Sequence, residues 1–525
     1  MTDKKRIWLT IAIIWGFLLV IAAIRPLSLP DEGRYGDISR WMFMSGDWLI
    51  PRLNGIPFFH KPPLLYWLQA EVFRFTGVHV WTARLVIAGH ALLMLICLYL
   101  GMKQISSEAI AQRVIIVLGT SIGFLIGGQY INHDFLVATW ITIAIGFFAL
   151  TFKSPEKTNL NLARLGFVAC GLGFLSKGLI GIVLPGLVIL IWLTVIGQTR
   201  RLLQLPWFSG TLLLCCVTIP WIAQVQNSFS GFFNYFIIEQ HFSRFTGSHF
   251  NSQQPWWFYL PVIAAYMFPW LFLLIWDLVD HIKTGFTFKN FRQKSIDPWI
   301  ALPWIWLLVI LVFFSIPKSK LMGYILPVIP PMAILIVKHW DRLTANKKSA
   351  GFWFWCICGF SASTSVGANF LARHNSLQDS SLDTAVILNC LLQPGDQVYV
   401  AGAYPYDLPF EINRQEPLLI IQDWADARKN ATDDWRRVFF EGADFDPAAG
   451  HVLQSEESMQ AVQPNGKSWL VAPAEFQLQA SYHPWRVIFK GRSWSLWRAG
   501  VRSNENSPEN GSAQSACLAN ARLLP

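Results

Sequence analysis

Residues 178–197 read GLIGIVLPGLVILIWLTVIG, an apolar run without a charged side chain. A helix that crosses the hydrocarbon core of a bilayer needs about 20 such residues, because each residue advances it by only about 1.5 Å. Ten further predominantly apolar runs, most of which contain one or two charged residues, lie at 7–27, 82–102, 112–129, 134–152, 164–177, 207–226, 257–277, 299–316, 321–338 and 351–371. We therefore expect a polytopic α-helical membrane protein with about 11 (11–13) transmembrane helices.

The composition of the whole chain agrees with this interpretation. Of the 525 residues, 53% are hydrophobic and only 14% are charged, whereas soluble domains carry about 25% charged residues. Basic residues precede the first apolar run, as they do in a signal peptide, but no small-residue cleavage site follows it. We therefore expect residues 7–27 to remain as a membrane anchor.

The distribution of basic residues predicts the orientation in the membrane. If the N-terminus is cytoplasmic, most lysines and arginines of the connecting segments fall on the cytoplasmic side, as the positive-inside rule requires. These residues are Lys103, Lys153, Lys157, Arg200, Arg201, Lys283, Lys289, Arg292, Lys294, Arg342, Lys347 and Lys348. The net charge of +10 then reflects membrane topology, and it does not predict a nucleic-acid partner. An odd number of helices places the C-terminus outside.

The chain is predicted to change character near residue 371. Residues 1–371 would form a transmembrane domain, and residues 372–502 a small α/β domain on the outer side, because short β-type runs alternate there with turn-rich stretches. The β-type runs are 397–400, 418–421, 469–471 and 485–489. The tail, 503–525, is rich in Ser, Asn and Gly and is predicted to be disordered.

The positions of the cysteines and a search for common motifs give little information about function. Six of the eight cysteines fall within the predicted spans, where a cysteine is usually a small apolar filler. Cys390 and Cys517 lie outside the spans, and their spacing alone does not decide whether they form a disulfide. The sequence has no zinc-type CxxC spacing, no P-loop and no Rossmann glycine fingerprint.

Two loops on the predicted outer side are unusually patterned. In the first loop, 28–80, the apolar residues Tyr35, Ile38 and Met42 recur at helical spacing among charged residues, which predicts an amphipathic helix on the membrane surface. The fourth outer loop, 227–256, has the same character. Both loops are expected to lie in the headgroup layer and to face a common cavity.

Charged and polar side chains collect on this outer side. They are the carboxylates Asp31, Glu32 and Asp134, the cations Lys61, Arg244, Lys318 and Lys320, the imidazoles His60 and His241, and Tyr324. A carboxylate can take a proton from an attacking hydroxyl. Cations and a tyrosine can stabilise a departing phosphate, whose negative charge grows as its bond breaks. This set of residues indicates chemistry on a lipid-linked phosphate.

Several of these residues lie in motifs of a known family. The chain resembles the bacterial aminoarabinose transferases that modify lipid A, which belong with the protein O-mannosyltransferases among the GT-C glycosyltransferases. The matching stretches are Pro30-Asp31-Glu32-Gly33-Arg34-Tyr35, Ser45-Gly46-Asp47-Trp48, Lys61-Pro62-Pro63-Leu64-Leu65-Tyr66-Trp67, Asp134, Ser176-Lys177-Gly178, Glu239-Gln240-His241-Phe242-Ser243-Arg244-Phe245, Lys318-Ser319-Lys320-Leu321 and Tyr324-Ile325-Leu326-Pro327. The resemblance covers most of residues 25–335.

The resemblance implies a GT-C enzyme of the bacterial inner membrane. Such an enzyme takes a sugar from an undecaprenyl-phosphate carrier at the periplasmic face and passes it, with inversion, to lipid A or another envelope acceptor. By position, Asp31 would be the catalytic carboxylate and Asp134 the second acidic residue of the site. The substrate-binding residues would be Glu32, Arg34, Lys61, Arg244, Lys318, Lys320 and Tyr324. Many relatives have Glu where this chain has His60, which bears on sugar or metal preference.

Simpler interpretations of these residues stay open. Asp31 and Asp134 both stand where a helix begins, so each is also a candidate N-cap. Lys318 and Lys320 are candidates for snorkelling to lipid headgroups. Lys177 can be explained as a residue that closes a turn between two spans.

The sequence also does not decide whether the chain holds a metal ion. His60, Glu239 and His241 carry ligand types that suit zinc, although their spacing favours a polar interfacial surface over a metal site. The role of Asp31 depends on the acceptor, because a hydroxyl benefits from a general base and an ionised phosphate does not.

Three classes of function compete at this point. The first is a polyprenyl-phosphate-sugar glycosyltransferase, and the second is a protein O-mannosyltransferase with a peptide hydroxyl as its acceptor. The third is a transporter or flippase for the lipid-linked sugar. Transporters place ionisable groups at mid-membrane within inverted repeats, whereas this chain collects them on one side and has no internal repeat. The small outer domain contains no recognisable peptide-binding module, which favours a lipid acceptor.

Overall fold

The structure, a computed structural model, describes residues 3–154, 156–243, 252–275, 297–345, 347–430, 433–478 and 485–500. Its chain forms two compact units. The first, called the helical unit below, comprises Met1–Ala23, Lys61–Leu65 and Arg84–Phe370. The second, called the mixed unit, comprises Ile24–His60, Tyr66–Ala83 and Leu371–Pro525. The mixed unit thus combines most of the first outer loop with the C-terminal part of the chain, while the functional boundaries of the domains stay a prediction.

Helices dominate both units. In chain order the α-helices are α1 Asp3–Ala23, α2 Asp31–Ser45, α3 Leu64–Thr76, α4 Val80–Ile105, α5 Glu108–Thr120, α6 Ile122–Gly127, α7 His133–Thr151, α8 Leu160–Lys177, α9 Ile180–Val195, α10 Trp207–Ser228, α11 Tyr259–Tyr266, α12 Pro298–Ser315, α13 Ile329–Thr344, α14 Ala350–Asp379, α15 Leu382–Leu391, α16 Leu408–Ile412, α17 Trp424–Lys429 and α18 Trp435–Phe445. A π-helix spans Asn234–Ser243, and 3₁₀ helices span Thr199–Gln204, Met322–Val328, Ala449–Val452 and Glu456–Met459. The first and fourth outer loops therefore both contain helices. Their placement in the membrane interface stays a prediction.

The described part of the helical unit has six helices that are long and apolar enough to cross a membrane. They are Lys5–Ala23, Val80–Ile105, His133–Thr151, Trp207–Ser228, Pro298–Ser315 and Met322–Thr344. Some of the other predicted spans are shorter or interrupted, whereas 351–371 lies within the 30-residue helix α14. The run 112–129 divides at Ser121, whose side chain caps α6 by accepting a hydrogen bond from the Phe124 amide (3.4 Å). The total of 11 helices therefore stays a prediction.

The exposed apolar side chains and the close helix packing of the helical unit are typical of a membrane protein. Large apolar side chains remain exposed along the long helices, for example Leu190, Leu212 and Ile219. Soluble proteins seldom expose so much apolar surface, but in lipid these side chains are solvated. Close helix packing uses small residues: α8 and α9 meet at Gly173 and Gly181, where an added Cβ on Gly181 would lie 2.2 Å from the Gly173 backbone.

The C-terminal part of the mixed unit is built on a six-stranded sheet. In chain order the strands of the molecule are β1 Arg52–Leu53, β2 Ile56–Pro57, β3 Gln397–Ala401, β4 Leu419–Ile421, β5 Leu453–Gln454, β6 Asn465–Pro473, β7 Trp485–Lys490 and β8 Trp494–Gly500. The spatial order is β5-β4-β3-β6-β8-β7; the first four strands are parallel, and β8 and β7 add antiparallel partners. Its core includes Leu470 and Ala499, both fully buried. The predicted C-terminal α/β domain is thus confirmed as a fold, with β5 and β8 in addition to the predicted strands.

Candidate functional site

Asp134 lies at the start of α7 without serving as its cap. The N-cap is Asn132, whose side-chain oxygen accepts a hydrogen bond from the Asp134 amide (2.8 Å). The interpretation of Asp134 as a simple helix cap is therefore wrong. Its carboxylate instead pairs with the Nζ of Lys177, the last residue of α8. Both side chains are nearly buried, with 4% of Asp134 and 9% of Lys177 exposed.

Three further residues complete this arrangement, called the Asp134 cluster below. The Lys177 Nζ lies 3.9 Å from the centroid of the Tyr324 ring, a cation–π distance. His133 hydrogen-bonds through Nδ1 to the Ser176 carbonyl (2.7 Å). Both Lys61 and Lys177 lie within electrostatic range of His133. The cluster therefore consists of Asp134, Lys177, Tyr324, His133 and Lys61.

The backbone between α12 and α13 is shaped to fit this cluster. Gly323 immediately precedes Tyr324, and a Cβ added at Gly323 would lie 2.3 Å from Oδ2 of Asp134. Only glycine lets the 3₁₀ helix approach the carboxylate this closely.

Electrostatics of the cluster favour an anion. Its two lysines outnumber its one carboxylate, and the Asp134–Lys177 pair is nearly buried, where Coulomb interactions are stronger than in water. Cations placed in advance where negative charge develops are the most effective electrostatic catalysts. The arrangement suits a phosphate group.

Gly178 follows Lys177 and turns the chain from α8 into α9. Its φ is 80° and its ψ is −149°, a conformation essentially restricted to glycine. A Cβ added here would lie 1.8 Å from Nε2 of His241. His241 is held in turn by the contact of its Nδ1 with the Phe236 carbonyl (2.6 Å).

We expect Gly178→Ala to destabilise the helical unit by about 1–3 kcal/mol from backbone strain alone, and further by displacing His241. Thermal unfolding of the purified protein in detergent measures this loss. Gly146→Ala is the matched control, because Gly146 lies within α7 and an added Cβ there meets no atom within 4 Å. Equal unfolding temperatures for the two variants would show that residue 178 tolerates a side chain without strain.

Lys318 and Lys320 lie in one short segment but differ in their surroundings. The segment pairs with residues 252–254 through hydrogen bonds from the Gln254 amide to the Lys318 carbonyl (3.0 Å) and from the Lys320 amide to the Ser252 carbonyl (3.0 Å). The side chain of Lys318 is exposed. That of Lys320 is buried, and its Nζ donates to the carbonyls of Gln254 (3.0 Å) and Pro317. Burial lowers the pKa of Lys320. Arg244 lies outside the described residues.

Asp31 begins α2 in the mixed unit. The N-cap of this helix is Pro30, so the interpretation of Asp31 as an N-cap is also wrong. The neighbouring Glu32 is fully buried and forms a bidentate ion pair with Arg25, with N–O distances of 2.7 and 3.1 Å. Glu32 also accepts a hydrogen bond from the Ser28 amide (2.8 Å). These bonds fix the turn that presents Asp31, which is itself half-buried.

Arg34, one turn further along α2, stacks on an aromatic side chain. Its guanidinium carbon lies 4.7 Å from the centroid of the Tyr406 ring. Asp31 and Tyr35 lie within electrostatic range of the same guanidinium. Asp31 and Arg34 thus belong to one polar group of the mixed unit.

The two histidines proposed for a metal make other contacts. His60 stacks on Phe58 with a centroid distance of 4.8 Å, and its Nε2 lies 3.6 Å from a carboxylate oxygen of Glu441. His241 uses Nδ1 for the Phe236 carbonyl, and Glu239 is exposed. Within the described ranges no three His, Cys, Asp or Glu side chains converge in a way that could hold a metal ion. The part of the chain that the structure describes therefore gives no support for a metal site at His60, Glu239 and His241.

Sequence reasoning missed two residues, Lys177 and Arg25. Lys177 belongs to a motif that the resemblance includes, but its partner depends on the α7–α8 hairpin. In an antiparallel hairpin of helices of similar length, the start of the first lies beside the end of the second. Asp134 and Lys177 occupy those two positions, so the hairpin was the signal that could have paired them.

Comparison with known proteins identifies relatives in sequence and in fold. Residues 60–223 match the family described as dolichyl-phosphate-mannose-protein mannosyltransferase. The chain is 30% identical over 348 residues to the undecaprenyl phosphate-alpha-4-amino-4-deoxy-L-arabinose arabinosyl transferase 1 of Sodalis glossinidius, covering 65% of this chain and 60% of the relative. It is 32% identical over 343 residues to the corresponding transferase of Aeromonas hydrophila, covering 64% and 60%. The chain thus aligns with about 60% of the length of these relatives.

A solved structure extends the likeness of the fold over nearly the whole chain. The crystal structure of ArnT from Cupriavidus metallidurans bound to undecaprenyl phosphate has a TM-score of 0.78 to this chain at 22% identity, covering 95% of this chain and 98% of the other. The fold is therefore that of a polytopic helical GT-C membrane protein with a C-terminal sheet domain. Taken with the shared motifs, these matches show that the chain belongs to the bacterial aminoarabinose transferase-like family, which is related to the dolichyl-phosphate-mannose protein mannosyltransferases.

Proposed function

We propose that the chain is an inner-membrane glycosyltransferase that moves a sugar from an undecaprenyl-phosphate carrier to lipid A or another envelope acceptor. The observation that carries the proposal is the Asp134 cluster, in which the buried Asp134 carboxylate pairs with Lys177, Lys177 lies over the Tyr324 ring, and Lys61 lies within electrostatic range of the neighbouring His133. The N-terminus would be cytoplasmic, and the C-terminal domain and the reaction would be periplasmic. The undecaprenyl phosphate carrier is inferred from the names of the relatives, and the lipid A acceptor from the family resemblance alone.

In this reaction an acceptor oxygen attacks the anomeric carbon of the sugar, and the bond from that carbon to the carrier phosphate oxygen breaks. The attack comes from the opposite face, so the configuration inverts. The leaving phosphate gains a negative charge, which Lys61 and Lys177 would stabilise. Asp134 and the Tyr324 ring would hold the Lys177 ammonium in place.

The two remaining lysines would play different parts. Lys318 is exposed, and we assign it to the carrier phosphate. Lys320 already donates to two backbone carbonyls, so we assign it to holding the loop in shape rather than to direct contact with the carrier. Arg244 keeps its proposed role as a phosphate ligand by resemblance alone.

Asp31 is proposed as the catalytic carboxylate, and its role depends on the acceptor. If the acceptor is a hydroxyl, Asp31 removes its proton during the attack. If the acceptor is a lipid A phosphate, the nucleophile is already ionised, and Asp31 instead orients the sugar, for example through an amino group. Arg34 would bind the same substrate.

A second candidate, a protein O-mannosyltransferase, is favoured by one observation. Residues 60–223 match the mannosyltransferase family description. The same carrier chemistry would then act on a peptide hydroxyl.

The test is mass spectrometry of envelope lipids, polysaccharides and glycoproteins from cells that lack the gene. These cells would be compared with cells that re-express the wild-type chain or Asp31→Asn at equal levels. We expect a sugar-sized mass to disappear from lipid A, to return with the wild type and to stay absent with Asp31→Asn, because the amide can neither accept a proton nor carry the charge.

Other outcomes separate the alternatives. If lipid A is unchanged while a glycoprotein loses a hexose, the peptide acceptor is correct and the lipid acceptor is wrong. If Asp31→Asn restores the modification fully, Asp31 has no catalytic role, and the transport interpretation gains support.

A further inference from the structure

The six-stranded sheet contains a topological switch point. From β3 the chain moves outward to β4 and β5 and then crosses to β6, on the other side of β3. In open α/β sheets, ligands bind outside the carboxyl ends of the strands on either side of such a point. In this sheet the position is marked by residues 402–407, the loop that follows β3.

This loop is in contact with α2. A Cβ added at Gly33 would lie 2.7 Å from the carbonyl carbon of Tyr406 and 2.8 Å from the amide nitrogen of Asp407. The helix therefore approaches the loop backbone as closely as glycine permits. Next to it, the Arg34 guanidinium packs on the face of the Tyr406 ring.

The loop itself is firmly held by Asp407. Its fully buried carboxylate accepts hydrogen bonds from the Ser380 hydroxyl (2.6 Å), the Ser381 hydroxyl (2.7 Å) and the Ser381 amide (2.8 Å). Burial raises the pKa of Asp407, and each of these bonds opposes that effect. A loop fixed in this way can act as a rigid support.

Residues further along the first outer loop also contact the C-terminal part of the mixed unit. Arg40, buried and paired with Asp37 (2.7 Å), donates to the carbonyl of Arg414. Asn54 exchanges two hydrogen bonds of 2.8 Å with the backbone of Leu418, just before β4. The segment that begins at Asp31 is thus attached to the sheet at several separate places.

We infer that the switch point, where other α/β sheets bind a small molecule, here holds α2, and that Tyr406 is a positioning residue for Asp31. The inference rests on the proposed function only in that Asp31 is taken as the catalytic carboxylate. Tyr406 touches no reacting atom. It fixes the start of α2 through its backbone against Gly33 and through its ring against Arg34.

The test compares Tyr406→Ala with Tyr406→Phe in the full-length protein. Transfer from undecaprenyl-phosphate-linked aminoarabinose to lipid A is measured in detergent over a range of donor concentrations. We expect Tyr406→Ala to lower kcat by about 10- to 100-fold, the effect of a small misplacement of a catalytic group, with the donor KM unchanged. Tyr406→Phe keeps the ring under Arg34 and removes only the hydroxyl, so it should restore the rate. Arg428→Ala, which removes an exposed ion pair with Asp444 in the same unit, is the control.

Hydrogen exchange of the amides in α2 provides a readout that does not depend on transfer. We expect faster exchange over 31–45 in Tyr406→Ala and wild-type exchange in Tyr406→Phe and Arg428→Ala. Unchanged exchange and unchanged kcat in Tyr406→Ala would overturn the inference, and so would a Tyr406→Phe variant as slow as Tyr406→Ala. If the wild-type chain transfers no sugar, the proposed function fails, while the exchange experiment still decides whether Tyr406 holds the helix.

Discussion

Lys177→Met is expected to lower kcat/KM for sugar transfer by about 100- to 1,000-fold, the loss measured when one preorganised charge-stabilising donor is removed. The reason is the position of the ammonium, which bonds to the Asp134 carboxylate and lies over the Tyr324 ring. The variant should also be less stable by about 3–5 kcal/mol, because a buried carboxylate loses its cation. Steady-state kinetics and thermal unfolding of the purified protein measure the two effects.

A double variant separates the chemical effect from the structural one. Lys177→Met combined with Asp134→Asn removes both charges, and neutral replacement of a buried ion pair often restores stability. We expect the double variant to unfold near the wild-type temperature and still to transfer sugar slowly, because the phosphate has lost its cation. If it transfers sugar at the wild-type rate, the pair is only structural and our assignment of Lys177 is wrong.

Lys103→Ala is the control for this experiment. Lys103 pairs with Glu108 at 3.1 Å, but both side chains are more than a third exposed. Exposed pairs contribute about 0–1 kcal/mol. We expect neither the rate nor the stability to change appreciably.

The contrast between Asp134 and Lys177 shows what the sequence could predict. Asp134 stands out because a carboxylate at the start of an apolar run is costly unless it has a role. A lysine at the end of a span is common, since long basic side chains reach the interface easily. Only the pairing of α7 with α8 distinguishes Lys177 from such a residue, and that pairing is a tertiary property.

Helix boundaries illustrate a second limit. Hydropathy treats residues 112–129 as one span, yet the buried Ser121 ends α5 and caps α6 with its own hydroxyl. A side chain that bonds to the backbone competes with the helix locally, and an average over about 20 residues does not register it. In contrast, the short β-type runs of the C-terminal domain predicted strands β3, β4, β6 and β7. β3 and β6 are buried along most of their length, as expected for central strands of an α/β sheet, whose sequences are nearly continuous apolar runs.

Glu32 is the residue for which motif and structure suggest different roles. The family resemblance made it a substrate ligand, but its carboxylate is fully buried and bonded to Arg25 and to the Ser28 amide. We therefore expect Glu32→Ala to destabilise the mixed unit by about 3–5 kcal/mol, since it leaves the Arg25 guanidinium buried without its carboxylate. Transfer should fall with it, because the turn that presents Asp31 loosens.

The decisive comparison is again a neutral double replacement. Arg25→Met combined with Glu32→Leu removes both buried charges and should recover most of the lost stability. If Glu32 acts only by holding the turn, kcat should recover along with stability, as measured by kinetics and thermal unfolding on the same preparation. A double variant that folds normally but does not transfer sugar would instead establish Glu32 as a substrate ligand. Glu416→Ala removes an exposed carboxylate of the same unit, 64% exposed and paired with Arg414, and should leave both quantities unchanged.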